Sequence, residues 1–245
     1  MKLNQKLFAA IVLSALCALP ARAVTGAWSY EHPKVKSGEF AIHSACMIPA
    51  EGRLSKQGVK GHEGMAKESD DWSTSLQNVV DAHLKLAGVS LVPAIGAGES
   101  GASDDEVRQV VLQLQQKYDE ISAKLNSKPK DIGKSRYTLG DQVALLPCAA
   151  KSDVLVFVEG EGQVLTGGKK AMGMLVGGAA NSGATLILTM VDAKTGEVLT
   201  FARLVNINSF GGSEQFMEDT EKAYGKALDR QLTKLNIRQK PEKKD

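Results

Sequence analysis

TLILTMV-DAKTG-E-VLTFARLVNI, residues 185–207, holds two runs of β-branched and large apolar residues on either side of a segment built for chain reversal. Val, Ile, Thr and Phe fit a pleated, half-buried surface. An Asp carboxylate is suited to accept from nearby backbone amides and Gly to adopt positive φ, so Asp192 and Gly196 are the residue types a tight connection demands. The stretch predicts an antiparallel β-hairpin. Upstream, residues 153–165 (DVLVFVEGEGQVL) add a strand that is continuously apolar from Val154 to Val158, as burial on both faces requires, and alternating thereafter. Downstream, Phe216, Thr220, Ala223, Tyr224, Ala227, Leu228, Gln231, Leu232 and Leu235 share one face at helical spacing, which predicts a helix over 214–235.

The amino-terminal half reads as two βα units. Residues 40–48 are small or apolar on both faces, a mostly buried strand that Pro49 ends. Residues 51–69 are rich in Gly and Lys without periodicity and predict a long, mobile loop. A helix follows over 71–87, with Trp72, Leu76, Val79, Val80, His83 and Leu84 on one face and Gly88 as its left-handed cap. Residues 89–92 form a short strand before Pro93. Ser103 and Glu106 make a capping box, opening a helix whose stripe runs Val107, Val110, Val111, Leu114, Tyr118, Ile121 and Leu125 until Lys128-Pro129 stops it. A short helical piece is expected over 141–146. Residues 24–39 contain Pro33 and Gly38 and predict an extended arm.

This order of elements predicts an α/β fold: a single-domain sandwich over 40–237. Two early βα units followed by an antiparallel meander make a mixed sheet of about five strands, with amphipathic helices packed on it. Residues 238–245 (RQKPEKKD) read as a disordered charged tail.

Residues 1–23 carry an export signal in their pattern. Lys2 and Lys6 precede an apolar run ending at Pro20, and Ala21-Arg22-Ala23 places small residues where a signal peptidase accepts them. Cleavage after Ala23 is expected, with a lipid anchor at Cys17 as the alternative. Leu16 stands before that cysteine, where a lipoprotein peptidase prefers Gly, Ala or Ser. Removing this segment takes away three bases and no acid, so 30 basic and 28 acidic residues become 27 and 28. A chain so balanced has no global charge to attract nucleic acid, and no nucleic-acid partner is expected.

Cys46 and Cys148 remain after maturation. In an oxidising compartment two is the smallest number that forms an internal bridge, but the sequence leaves a disulfide and a pair of buried thiols both open. No zinc pattern exists: His43 stands alone near Cys46, and His62-Glu63 lacks a second histidine and is flanked by Gly61 and Gly64. His43 and Cys46 fall on opposite faces of a strand, which opposes a base and nucleophile pair. Gly160–Lys170 resembles a phosphate loop, but Gln163 stands where glycine is needed and Lys170 where Ser or Thr would hold magnesium. Asp104-Asp105-Glu106 are acids in a first helical turn, which the helix dipole favours by itself. No G-x-S-x-G elbow surrounds any serine. These readings predict no cofactor, no metal and no catalysis.

The segment 167–183, GGKKAMGMLVGGAANSG, lacks so ready a structural account. Gly167, Gly168, Lys169, Lys170, Met172, Met174, Leu175 and Val176 make an apolar, flexible connection with a cationic base. Water-facing loops are seldom so apolar, so it is expected to contact an envelope protein partner, or else a membrane surface with its lysines near anionic head groups. The bland reading has it fold back on the sheet edge.

The chain resembles a set of exported bacterial envelope domains on the strength of Val191-Asp192-Ala193-Lys194-Thr195-Gly196-Glu197-Val198-Leu199 and the preceding Ser152-Asp153-Val154-Leu155-Val156. These include the amino-terminal domain of the Tol-system translocation protein, the periplasmic domain of the curli secretion channel and lipoprotein activators of peptidoglycan synthases. It is most similar to members without assigned activity. The resemblance spans about residues 40–235, rests on structural motifs, and implies an exported α/β envelope domain. It does not extend to a pore, since 167–183 is shorter and richer in glycine than a membrane hairpin.

Three functions compete. The leading expectation is a non-enzymatic exported cell-envelope protein, a binding or assembly module acting through a sheet edge or the glycine-rich loop 167–183. The second is a periplasmic small-molecule or metal binder using strand ends near 51–69. The third is a hydrolase with an unrecognised site.

Overall fold

Among the described residues one mixed sheet of eight strands forms the middle layer on which the helices pack. The computed structural model of the chain describes residues 24–58, 61–95, 103–132, 137–165, 183–207, 220–235 and 237. The expected signal segment 1–23 with Cys17, the loop residues Gly167 to Val176 and the tail 238–245 lie outside the described residues. The strands are β1 (Val24–Glu31), β2 (Ser44–Met47), β3 (Glu51–Gly58), β4 (Gly61–Gly64), β5 (Ser90–Pro93), β6 (Val154–Leu165), β7 (Gly183–Asp192) and β8 (Val198–Ile207). They run β1-β8-β7-β6-β2-β5, with β3 also beside β6 and β4 beside β3.

The long strand β6 organises this order. Along one side it pairs antiparallel with β7, from Val154↔Asp192 to Gln163↔Gly183. On the other side it takes two parallel partners in succession, β2 at Val154–Val156 and β3 at Glu159–Leu165. The break between β2 and β3 falls at Pro49, which lacks the N–H a ladder needs. At the start of β6, the Asp153 carboxylate accepts from the backbone N–H of His43 at 2.8 Å and of Ser44 at 2.9 Å, pinning β2 beside it. Burial pushes that carboxyl up, but these bonds and the Ser44 hydroxyl outweigh it and hold it below the usual range.

Helices cover both faces. On one face lie α2 (Ala66–Leu86) and α4 (Thr220–Lys234), whose Trp72, Leu76, Val80, Tyr224, Leu228 and Leu232 pack on Val154, Val156, Leu186, Leu188 and Leu204. On the other lies α3 (Asp104–Ser127), whose Val111, Leu114, Tyr118 and Leu125 join Leu155, Phe157, Ile187 and Phe201. Successive β6 residues thus enter different cores, which is why Val154–Val158 has no polar face. The Ser103/Glu106 capping box opens α3 with both reciprocal bonds present.

The predicted hairpin is β7–β8, paired from Ala184↔Asn206 to Val191↔Val198. The Asp192 carboxylate accepts from the N–H of Lys194 at 2.7 Å and Thr195 at 3.1 Å, and Gly196 sits at φ +71°. A Cβ on Gly196 would also lie 2.6 Å from the Gly140 backbone, so close approach adds a second demand for glycine.

Three expectations need correction. Residues 24–39 are extended only over β1, which pairs with β8 from Val24↔Ile207 to Glu31↔Thr200, and Pro33, expected to oppose a helix, opens a short one, α1 (Pro33–Lys36), where its missing N–H costs nothing. Residues 51–69 are not a mobile loop, because 51–58 and 61–64 form a hairpin and α2 begins at Ala66. Just Gly52 and Leu54 of β3 are buried, too few for an apolar alternation to stand out. With β1, β3 and β4 added, the sheet has eight strands where about five were expected. The short helical piece expected over 141–146 is present as a 3-10 helix, Gly140–Leu145.

Candidate interaction edge and its surroundings

Sheet edges expose unpaired N–H and C=O groups, and native folds blunt them with short strands, proline, charge or covering elements. The edge beyond β6 is treated in this way. Gly52 N–H donates to the Ser73 hydroxyl at 2.7 Å, Leu54 N–H to the Ser69 hydroxyl at 2.9 Å, and Ala50 N–H to the Gln77 side-chain oxygen at 2.9 Å. Ser69, Ser73 and Gln77 recur every four residues on α2, so one helix stripe covers the first half of β3. A Cβ on Gly52 would approach the Ser73 nitrogen to 2.9 Å, so glycine is what lets the strand lie this close to the helix. The outer strands β4 and β5 are four residues each, β4 begins and ends with glycine, and β5 ends at Pro93.

β1 differs in length, in lacking proline and in lacking a covering element among the described residues. It is eight residues long, VTGAWSYE, without lysine or proline, and no described residue pairs with its outer side. His32 N–H donates to Leu199 O at 2.8 Å. By antiparallel alternation the even-numbered residues then direct their backbone groups to β8, and Thr25, Ala27, Ser29 and Glu31 direct theirs outward. Trp28, at the strand centre, is 52% exposed. Its ring lies back along the strand over Gly26, where an added Cβ would meet it at 2.9 Å.

A buried polar network lies further along the same sheet face, in register with Trp28 through Arg203 and Ile187 to Glu159. The Glu159 carboxylate accepts from the Ser122 hydroxyl at 2.6 Å and the Tyr118 hydroxyl at 2.9 Å, and Tyr118 meets Thr189 at 2.8 Å. With its proton committed to Glu159, Tyr118 receives one from Thr189. Burial raises the Glu159 carboxyl against these hydrogen bonds, and burial raises the Tyr118 hydroxyl well above its usual range. At the rim, Arg53 pairs with Glu51 at 2.8 Å and approaches Asp119 at 3.5 Å. Next to it an open concavity of about 420 Å³ is lined by Arg53, Ser55, Glu161, Gln163 and Thr185.

Other sequence candidates sit apart from these. Cys46 and Cys148 are disulfide-bonded with Cα atoms 5.5 Å apart, both inside the α3-side core, so Cys46 has no free thiol for a nucleophile. His62 is on β4, near Gln57 and Gln163, each at 3.2 Å. Among the described residues no group of three or more His, Cys, Asp or Glu could hold a metal, and no helix is long and apolar enough to cross a membrane. Sequence reading missed three features. The Ser69/Ser73/Gln77 stripe was legible as a four-residue polar repeat, and β1 as an alternation too short to separate from an arm. The third is His83, placed on an apolar face, yet its ring nitrogens lie 2.9 Å from Asp229 and 3.1 Å from Glu221 of α4.

No protein-family model and no curated protein matches the chain. Among solved structures it is similar to the PelC dodecamer from Paraburkholderia phytofirmans in space group P6, at 11% identity and a TM-score of 0.38, covering 88% of this chain and 100% of that one. A point variant of the same dodecamer in space group C2 matches at 10% identity with the same TM-score and coverage. A likeness of that size carries no argument about this chain.

Proposed function

We propose that this chain is a non-enzymatic exported cell-envelope protein, a binding or assembly module that recruits its partner by strand addition to β1. One observation carries the reading. The first half of β3 is covered by a helix stripe and the other outer strands are short, whereas β1 is long, carries neither lysine nor proline, and has no described residue paired on its outer side. An exposed strand edge offers main-chain hydrogen bonds to an extended partner segment, and neighbouring side chains such as Trp28 supply selectivity. Export after Ala23, the resemblance to periplasmic envelope domains, and a buried disulfide, which suits an oxidising compartment, agree with it. The loop residues Gly167, Gly168, Lys169, Lys170, Met172, Met174, Leu175 and Val176 remain a proposed second contact, to a protein or a lipid surface.

The test is Ala27→Pro. The Ala27 N–H points outward, so proline there removes an edge donor without touching the β1–β8 ladder. Crosslinking in intact envelopes should capture a partner with the wild type and lose it with this variant, at unchanged melting temperature. Equal capture by both would reject β1 as the contact.

A second reading, a small-molecule binder, has the concavity at Arg53, Glu161 and Gln163 in its favour. A metabolite-library thermal-shift screen that raises the melting temperature of the wild type but not of Arg53→Ala would support it.

A further inference from the structure

We infer that the segment added to β1 is β1 of a second copy of this chain, antiparallel about a two-fold axis through Trp28. The inference rests on the reading of β1 as the contact edge and adds the identity of the partner. Four residues face outward, Thr25, Ala27, Ser29 and Glu31, and they are spaced symmetrically about residue 28. Antiparallel pairing centred there sets Thr25 opposite Glu31 of the second copy and Ala27 opposite Ser29. Every outward N–H and C=O on both strands then enters a hydrogen-bonded pair, and none is left over. A self-complementary patch of this kind is what a two-fold interface requires.

The side chains agree with the register. Glu31, the one charged residue of β1, is set opposite position 25 of the copy, which carries no charge, so no like charges are opposed. Trp28 faces Trp28 of the second copy at the non-hydrogen-bonded position, where the chains come closest. Each exposed indole lies back over its own Gly26, and Gly26 stands opposite Tyr30 of the second copy. The absent Cβ at Gly26 leaves room for an aromatic pair there, and burying a half-exposed tryptophan favours association. The two sheets become continuous through both copies, which removes the open edge.

The experiment combines crosslinking with mass measurement on the purified mature chain. Cys46 and Cys148 are bonded to each other, so an introduced cysteine is the free thiol available. Under mild oxidation Trp28→Cys should form an intermolecular disulfide at least about tenfold faster than Leu112→Cys, since cross-strand Cβ atoms at this position fall within bonding range. Leu112 is 58% exposed and lies on α3 rather than on the sheet edge, and serves as the control. Adding Ala27→Pro to Trp28→Cys should bring its rate down to the control. Light scattering should show a concentration-dependent dimer for the wild type and a monomer for Ala27→Pro, with equal circular dichroism.

A wild type that stays monomeric at all concentrations overturns self-pairing, as does Trp28→Cys crosslinking no faster than Leu112→Cys. If the wild type is monomeric while Ala27→Pro still abolishes envelope capture, the edge reading stands and the second copy is the wrong partner. If Ala27→Pro changes neither oligomeric state nor capture, both fall.

Discussion

The Ser73 hydroxyl accepts the Gly52 N–H at 2.7 Å and donates its own proton to Ser69 O at 2.8 Å, so a single helix side chain closes a strand edge. Ser73→Ala leaves a shielded N–H without an acceptor, at a cost of about 1–2 kcal/mol. Urea unfolding should show the lower midpoint, and hydrogen exchange should speed up at Gly52 before it does at β7. Unchanged exchange at Gly52 would mean that water replaces the hydroxyl without loss.

Glu159 predicts an unusual pH slope. Burial raises its carboxyl, so between the ordinary carboxyl range and that raised value the folded state keeps a proton that the unfolded chain has lost. Stability from this group is therefore full below the unfolded value, falls as pH rises through the window, and is flat above it. Glu159→Gln keeps an oxygen to accept from Ser122 and Tyr118 and removes the charge. Urea titrations between about pH 4 and 8 should show the slope reduced and the variant at least as stable as the wild type at neutral pH. A loss of more than about 1 kcal/mol there would show the charged form to be net favourable.

Gly160 is a steric requirement. A Cβ there would lie 2.7 Å from the Trp72 ring and would also strike Leu76, both fully buried. Gly160→Ala should cost about 1–3 kcal/mol, the range for forcing a methyl group into a packed core. The thermal midpoint reads this directly, and an unchanged midpoint would show that α2 can shift away from the sheet.

The Cys46–Cys148 bridge closes a separation of 102 residues inside the α3-side core. Thiol titration of the denatured mature chain without reductant should find no free thiol. Replacing both cysteines by alanine should lower stability by about 2–5 kcal/mol, chiefly by freeing the unfolded chain.

The loop double variant Leu175→Ser with Val176→Ser separates its two readings. A contact surface loses partner or membrane association while stability stays within roughly 1 kcal/mol. A segment packed in the core would lose several kcal/mol, from two missing aliphatic groups and two buried hydroxyls.

What the sequence by itself determined is local in origin. The β7–β8 hairpin, the α3 stripe with its capping box, the α2 stripe and the doubly buried run of β6 each follow from spacing within about twenty residues. Tertiary structure alone decided which distant segments meet. β1 joins β8 across most of the chain, β3 lies parallel to β6, and Cys46 meets Cys148; each depends on topology, and no pattern within its own segment names the partner. The same reason hid the candidate site. An edge is open or closed according to what lies beside it, so VTGAWSYE is an edge with one unpaired side because β8 takes one side and no described residue takes the other, whereas the first half of β3 is sealed by serines from a helix that begins after it.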